Sequence, residues 1–188
     1  MAVTLDWLGC ATFRLQVDDF VIFLDGYIDR VPSAPPVGIS AAEVDRADAI
    51  LVGHAHFDHI AGVEVIARNT GARVVCSTES ARMLAGAGVD EQQLLPSQGG
   101  ERHRLSDDIV VTTYPSLHSC VWVGGVSAGG ADSVATGHLG LTEDDRAAVR
   151  AENPLGGSAP DPELLAQMQQ HIASSLHSDH TGGALAYL

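Results

Sequence analysis

An apolar run in the first third of the sequence leads directly into a cluster of polar side chains, and this pattern limits the folds available to the chain. Residues 47–53 read ADAILVG, a nearly continuous apolar segment of strand length, and residues 54–59 read HAHFDH. Such a run predicts a strand buried on both faces, as in a sheet covered by helices. Residues 60–71, IAGVEVIARNTG, carry apolar residues at helical spacing and end on a glycine, which is typical of a helix C-terminus. The sequence therefore predicts a buried strand, a polar turn and a helix.

The polar turn holds four potential metal ligands within six positions. His54 and His56 lie two residues apart, and side chains two apart in an extended segment point to the same side. Asp58 and His59 follow where the chain turns into the helix, so all four can reach a pocket above the strand's carboxyl end. Imidazole and carboxylate together suit zinc, iron or manganese better than calcium or magnesium. We predict a metal site here; the alternative is a polar loop that binds no metal.

The flanking segments predict a layered α/β domain. Residues 3–9, 11–17 and 20–26 are strand-like and separated by turn residues, which predicts an antiparallel meander. Further along, strands are predicted in ARVVCS, ERHRL and DIVVTTYP, and a helix in TESARMLAGAG.

From about residue 120 the composition changes, and we interpret residues 120–182 as a helical insertion in a single domain spanning 1–188. One helix is predicted over TEDDRAAVRAE, residues 142–152. Asp161 and Pro162 predict the start of a second. Its apolar residues fall along one side, with Met168 as core filler: Leu164, Leu165, Met168, Ile172 and Leu176.

Composition narrows the class of protein. The chain has 188 residues, a formal net charge of −14 and no lysine, which disfavours binding to nucleic acid. No apolar stretch approaches the roughly 18 residues of a membrane span, and no signal peptide is visible. Cys10, Cys76 and Cys120 form no CxxC pair and are expected to be small buried hydrophobes. We therefore expect a cytoplasmic protein that acts on a small molecule.

HAHFDH resembles the HxHxDH signature of the metallo-β-lactamase superfamily of hydrolases. WLGCATFRL near the N-terminus, FLDG at residues 23–26 and a histidine after DIVVTTYP lie where that family's features would be. The resemblance covers about the first 120 residues, and GGALAYL at residues 182–188 is a further match. Within the superfamily, the sequence most resembles the branch that contains ascorbate-6-phosphate lactonase and N-acylphosphatidylethanolamine phospholipase D. The resemblance implies an αββα sandwich, of which this chain would hold the N-terminal half plus the insertion.

The resemblance also implies ligands for two metal ions. His54, His56 and His118 would bind the first ion, and Asp58 and His59 the second. Zinc is the expected metal, with iron or manganese possible.

Two further residues take roles from the resemblance. Asp25, which ends FVIFLD, would orient a ligand imidazole from behind; the alternative is a turn residue ahead of Gly26. His180, in SDHTGG, competes with His118 as third ligand of the first ion. His118 is favoured because a predicted strand leads directly to it, and His180 could line the pocket from above.

The activity implied is metal-dependent hydrolysis. A water held between two metal ions becomes hydroxide near neutral pH and attacks an ester, lactone or phosphodiester, with Asp58 orienting it. Two alternatives stay open: a non-catalytic metal-binding fragment or split module completed by a partner chain, and an oxygen-using member of the fold with one iron.

The family pattern also requires a bridging aspartate and a last histidine from the carboxyl half of the domain. Every aspartate after His118 lies in the apparent insertion: Asp132, Asp144, Asp145, Asp161 and Asp179. We therefore expect a fragment, a truncated chain or a split protein with a weakly held second metal. An uncovered apolar sheet face would favour self-association or a partner chain.

Overall fold

A six-stranded sheet forms the centre of the protein. The structure, a computed structural model, describes residues 2–118, 122–123, 126–127, 161–180 and 182–188. The strands run in chain order across the sheet: β1 (Val3–Trp7), β2 (Phe13–Val17), β3 (Phe20–Leu24), β4 (Ala49–Leu51), β5 (Arg73–Ser77) and β6 (Leu94–Ser97). β2 pairs antiparallel with both β1 and β3, and the strands from β3 to β6 pair parallel, each with the next. The predicted meander, the buried central strand and the α/β class are confirmed.

Helices cover one face of this sheet. They are α1 (Phe57–Ile60), α2 (Val63–Thr70) and α3 (Thr78–Gly86), with short 3-10 turns at Ala41–Glu43 and Glu91–Gln93. A further helix, α4 (Pro162–Ser174), has no buried residue. The single helix predicted after HAHFDH is interrupted at Gly62, whose φ of +88° suits glycine. A side chain there would meet the carbonyl oxygen of Gly26 at 2.5 Å. The interruption therefore lets the strand-to-helix turn pack against the segment that follows β3.

A smaller antiparallel sheet lies against the other face. It contains β7 (Arg102–Arg104), β8 (Val110–Ser116) and β11 (Ala184–Tyr187) in the order β11-β8-β7. A separate ladder joins β9 (Trp122–Val123) to β10 (Val126–Ser127). The strands predicted in ERHRL, DIVVTTYP and GGALAYL are thus present, and β11 brings the chain back to the site by pairing with β8.

Two apolar clusters hold the layers together. The larger lies between the central sheet and the helices and contains Phe23, Ile50 and Ile66, all fully buried. The smaller lies between the two sheets and contains Leu51, Val75 and Val111. β4 contributes to both clusters, as its apolar sequence predicts.

Two predicted burials are not found in the structure. The apolar side of α4 is not buried: Leu164, Leu165 and Met168 are exposed, so Met168 as core filler is wrong. Cys76 is buried as expected, but Cys10 is exposed in a turn with φ +48°, so the expectation of a buried thiol fails there. The predicted helix at 142–152 and Cys120 lie outside the described residues.

None of the described helices combines the length and apolar character that crossing a bilayer requires.

Candidate metal centre

The carboxyl end of β4 carries the predicted ligand cluster. The chain stays extended beyond the strand, and His56 still has extended dihedrals (φ −74°, ψ 154°) where it begins α1. His54 and His56 therefore point to the same side, and their ring centroids lie 4.7 Å apart. His54 is buried beneath the others. The local geometry follows from an extended segment that ends in one helical turn.

His118 completes a group of three imidazoles. Its Nε2 lies 3.1 Å from His54 Nε2 and 3.1 Å from His56 Nδ1. In a tetrahedral zinc site with Zn–N bonds of 2.0–2.1 Å, ligand nitrogens lie roughly 3.3 Å apart. His118 Nε2 thus lies at a distance from each of the other two nitrogens that fits one shared ion, and the ligand atoms of the three residues all lie within 4.8 Å of one another.

The protonation state of His54 also suits a ligand. Burial and the neighbouring imidazoles of His59, His56 and His118 lower the pKa of His54 to about 2. The ring is therefore neutral at neutral pH, which is the form that offers a lone pair to a metal.

A second group shares His54 and adds two residues of α1. One nitrogen or oxygen from each of His54, Asp58 and His59 falls within 4.8 Å of the others. His59 Nε2 lies 3.8 Å from Asp58 Oδ2. This group offers a mixed imidazole and carboxylate donor set, and the shared His54 makes the two groups one continuous cluster.

Asp25 supports the cluster from behind. His59 Nδ1 donates a 2.7 Å hydrogen bond to Asp25 Oδ2, and the Gly53 N–H donates one of 2.7 Å to Oδ1. Because Nδ1 is used in this way, His59 Nε2 faces Asp58. Asp25 itself is buried and has φ +58°, a conformation that non-glycine residues seldom adopt.

Burial and pairing act together on the protonation of Asp25 and His59. Burial raises the pKa of Asp25, and hydrogen bonding to His59 only partly opposes this. Burial lowers the pKa of His59, but the hydrogen bond and negative charge of Asp25 outweigh it, so that pKa is raised. Both shifts are consistent with a proton held between the two side chains.

A cavity of about 500 Å³ opens beside the cluster, between the two sheets. His54, His59 and His118 line one side of it. The remaining wall is largely apolar and includes Phe13, Leu24, Leu117 and Leu185. A small organic molecule would fit this volume and bring a polar group to the imidazoles.

His180 lies outside both groups and outside the lining of the cavity. It is exposed, and its backbone N–H donates to Ser178 Oγ at 3.2 Å. Ser178 Oγ in turn donates to Glu79 Oε1 at 2.6 Å, which joins this segment to α3. The structure thus brings His118 to His54 and His56 and leaves His180 away from them.

The sequence pattern does not predict one contact near the site, between Tyr27 and His171. Tyr27 Oη lies 3.0 Å from His171 Nε2, which joins α4 to the segment after β3 across 144 positions. The Tyr27 ring also meets Phe57 edge-on, with centroids 5.5 Å apart. Phe57 sits between the candidate ligands His56 and Asp58, so α4 contacts the ligand turn through Tyr27. His171 thus joins α4 to the segment that follows β3.

Comparisons with known proteins agree with this geometry. The family model described as "Beta-lactamase superfamily domain" matches residues 22–152. A UPF0173 metal-dependent hydrolase of Koribacter versatilis is 33% identical over 117 residues, which cover 62% of this chain and 48% of that protein. One from Chloroflexus aurantiacus is 32% identical over 124 residues, or 65% of this chain and 51% of that protein.

Among solved structures, Igni18 superposes with a TM-score of 0.51 and 25% identity. It is a metallo hydrolase from the hyperthermophilic archaeon Ignicoccus hospitalis, and the match covers 62% of this chain and 50% of that one. The chain spans about half the length of the curated relatives it matches. The branch within the wider superfamily stays a prediction.

Proposed function

Since the chain belongs to the beta-lactamase superfamily domain family, we propose that it is, or contributes to, a metal-dependent hydrolase. The observation that carries the proposal is that His118 Nε2 lies 3.1 Å from a nitrogen of both His54 and His56, beside a cavity. The names of the relatives, which are metal-dependent hydrolases, point the same way.

His54, His56 and His118 are the proposed ligands of a first metal ion, and Asp58 and His59, with His54 nearby, those of a second. Zinc is the proposed metal, because nitrogen donors at this spacing suit its tetrahedral coordination; iron or manganese would accept the same donors. Asp25 would hold the His59 ring so that Nε2 keeps its lone pair for the ion.

Bound metal would supply a water with a pKa of about 7 and would polarise the electrophilic oxygen of the substrate. The protein's own part is to orient the reactants. Asp58 is the proposed catalytic residue: its carboxylate would accept a hydrogen bond from the attacking water and so orient it. The apolar wall of Phe13, Leu24 and Leu185 would hold the rest of the substrate and exclude bulk water.

The proposed substrate is a small ester, lactone or phosphodiester. We further propose that residues 120–182 form an insertion in a single domain, since α4 contacts the ligand turn through His171 and Tyr27. A cytoplasmic location is proposed because Cys10 and Cys76 are free thiols, as in proteins of reducing compartments.

A direct test is a hydrolase screen on metal-depleted and zinc-reloaded protein. p-Nitrophenyl butyrate, γ-butyrolactone and bis(p-nitrophenyl) phosphate represent the three substrate classes. We expect at least one to be hydrolysed only after reloading, with a loss of about 100-fold or more in His56→Ala. His103→Ala is the matched control, because His103 bonds to Ser97 outside the cluster and should keep activity. A folded, zinc-loaded chain that hydrolyses none of the three would contradict the proposal that this chain is itself a hydrolase.

A non-catalytic metal-binding role is the second candidate. The second group of candidate ligands supports this role, because among the described residues that group adds only Asp58 and His59 to the shared His54. A chain that binds zinc through the first group yet hydrolyses nothing alone, and gains activity with a partner polypeptide, would favour this reading.

A further inference from the structure

Strand β1 presents an unusual edge. In the part of the chain that the structure describes, β1 is the outermost strand of the six-stranded sheet and pairs only with β2. Val3, Leu5 and Trp7 alternate along it, so their side chains share one face. They are 56%, 60% and 67% exposed. Three such side chains make an apolar patch on the order of 300 Å², comparable to the largest patch on a typical monomer, which is often functional.

The patch is a continuation of the core face. Val3, Leu5 and Trp7 are register partners of the β2 residues Val17, Leu15 and Phe13, and Leu15 packs against the cluster between the two sheets. The smaller sheet, through β7, β8 and β11, supplies the other side of that cluster. Burial on this face is therefore complete near β4 and is lost at β1.

One side of the β1 backbone also pairs with no other strand among the described residues. The Ala2 carbonyl accepts from Asp18 N–H, and the Leu8 N–H donates to the Thr12 carbonyl, so these even-numbered positions face β2. Because successive residues of a strand alternate in direction, the N–H and C=O groups of Val3, Leu5 and Trp7 point away from β2. The same three residues thus carry both the exposed side chains and the outward backbone groups.

We propose that two copies of this chain pair antiparallel through β1, with a two-fold axis at Leu5. In that register Leu5 faces Leu5 of the second copy, and Val3 faces Trp7. Each of these is a hydrogen-bonded pair, because all three residues direct their backbone groups outward. Two six-stranded sheets become one continuous sheet, and the two apolar rows join into one stripe.

The charged residue of β1 does not oppose pairing in this register. Asp6 is the only charged residue of β1, and pairing about Leu5 places it opposite Thr4 rather than opposite another Asp6. Its charge is already compensated by Arg14, whose Nη2 lies 2.8 Å from Asp6 Oδ2. Pairing about Leu5 therefore brings no two carboxylates of the β1 strands opposite each other.

The strand also lacks the residues that usually protect an edge. Val-Thr-Leu-Asp-Trp contains no proline, glycine or lysine, and its ladder with β2 runs without a bulge from Val3 to Trp7. An unprotected, regular strand with a self-complementary register fits pairing with its own copy.

Light scattering coupled to size exclusion tests the proposal on the full chain. A particle of twice the 19.6 kDa chain mass is expected, dissociating on dilution. Leu5→Pro should yield a monomer, because proline removes an N–H that points outward and leaves the ladder to β2 intact. Leu165→Asp is the matched control: it removes an exposed leucine from α4 and should leave the dimer unchanged. A monomer at every concentration, or a dimer equally populated in folded Leu5→Pro, would overturn the proposal.

Disulfide trapping tests the register even if Leu5→Pro fails to fold. In a Cys10→Ser, Cys120→Ser background, Leu5→Cys places two thiols across the axis at a separation that a disulfide spans. Val3→Cys places them four residues apart along the strand, beyond that reach. Rapid cross-linking of Leu5→Cys but not of Val3→Cys is the expected result. Equal cross-linking of both, or of neither, would exclude pairing about Leu5.

Discussion

His118 Nε2 lies 3.1 Å from His54 Nε2, although 64 positions separate the two residues in the chain. The contact depends on both sheets, because His54 follows β4 of the central sheet and His118 follows β8 of the smaller one. β8 is held in place by its register with β11, in which Ser116 faces Ala184. The candidate metal centre is therefore a product of tertiary structure as well as of the HAHFDH turn.

The shared position of His54 leads to a prediction about the two metal ions. His54→Ala should weaken binding of both, whereas His118→Ala should weaken only the first, because His118 belongs to one group. We expect His118→Ala to lower the affinity of the tighter zinc by at least about 100-fold, since loss of a ligand costs more than loss of its supporting residue. Competition titration with a chromophoric chelator measures both affinities. His180→Ala is the control, and a loss there equal to that in His118→Ala would refute the ligand assignment.

Asp25→Asn tests the support that Asp25 gives to His59. Asparagine tolerates the φ of +58° at this position, so the backbone should be kept while the negative charge behind the imidazole is lost. The affinity for the second zinc should fall by about 10- to 100-fold. Asp48→Asn is the matched control, because Asp48 accepts from Val21 N–H away from the cluster. Equal zinc affinity in Asp25→Asn and wild type would contradict the role.

The burial of β4 predicts a large effect of truncation at Ile50, which is fully buried between the sheet and the helices. Ile50→Ala should lower the free energy of unfolding by about 2–5 kcal/mol and Ile50→Val by about 0.5–1.5 kcal/mol, since the larger deletion leaves the larger cavity. Urea denaturation followed by circular dichroism measures both. Similar small losses in the two variants would mean that this strand is not packed as described.

Glu101 makes stability depend on pH in a definite direction. Hydrogen bonds from Thr113 Oγ1 and from the backbone N–H groups of Gln98 and Gly99 lower the pKa of Glu101 to about 2. A carboxyl whose pKa is lower in the folded state stabilises the fold fully above its unfolded pKa of about 4.3. That stabilisation is lost as pH falls from there through the folded value.

The comparison with Glu101→Gln isolates this effect. Wild type should be more stable than Glu101→Gln above about pH 5, and the difference should shrink steadily as pH falls toward 3. Thermal unfolding of both proteins at a series of pH values checks it. A stability difference that does not change with pH would show that the carboxylate charge is not the cause.

The two described cysteines should differ sharply in reactivity. Cys76 lies in the core, and burial raises the pKa of its thiol to about 12, so almost none of it is thiolate at pH 8. Cys10 is exposed. In a Cys120→Ser background, a thiol reagent such as DTNB should label one cysteine in the native protein and two after denaturation. Two rapidly labelled thiols in the native state would contradict the burial of Cys76.

Much of the fold follows from local patterns. The apolar run before HAHFDH predicts β4 correctly because a strand covered on both faces leaves no room for polar side chains. The six-stranded sheet has one strand that the sequence did not predict, β6. It is short and contains Pro96, which a central strand would exclude but an edge strand tolerates.

The site is less accessible to such reasoning. His54, His56, Asp58 and His59 are neighbours in sequence, so alternation and one helical turn are enough to bring them together. His118 and Asp25 were assigned through a family resemblance, because their positions depend on how strands pair. The contact of Tyr27 with His171 has no counterpart in any periodicity, since it joins an exposed helix to a loop across the chain. The prediction that the apolar side of α4 is buried was wrong for a related reason. An apolar stripe indicates that a helix side can be buried, but whether it is buried depends on the elements that pack against it in the folded protein.

Metal binding by the cluster at the end of β4 can be measured directly. Inductively coupled plasma mass spectrometry on chelator-free protein, beside His54→Ala/His56→Ala, gives the metal content per chain. We expect at least one zinc retained per wild-type chain, a second bound more weakly, and none in the double variant. A folded wild-type chain without metal, or a double variant that keeps its zinc, would contradict it.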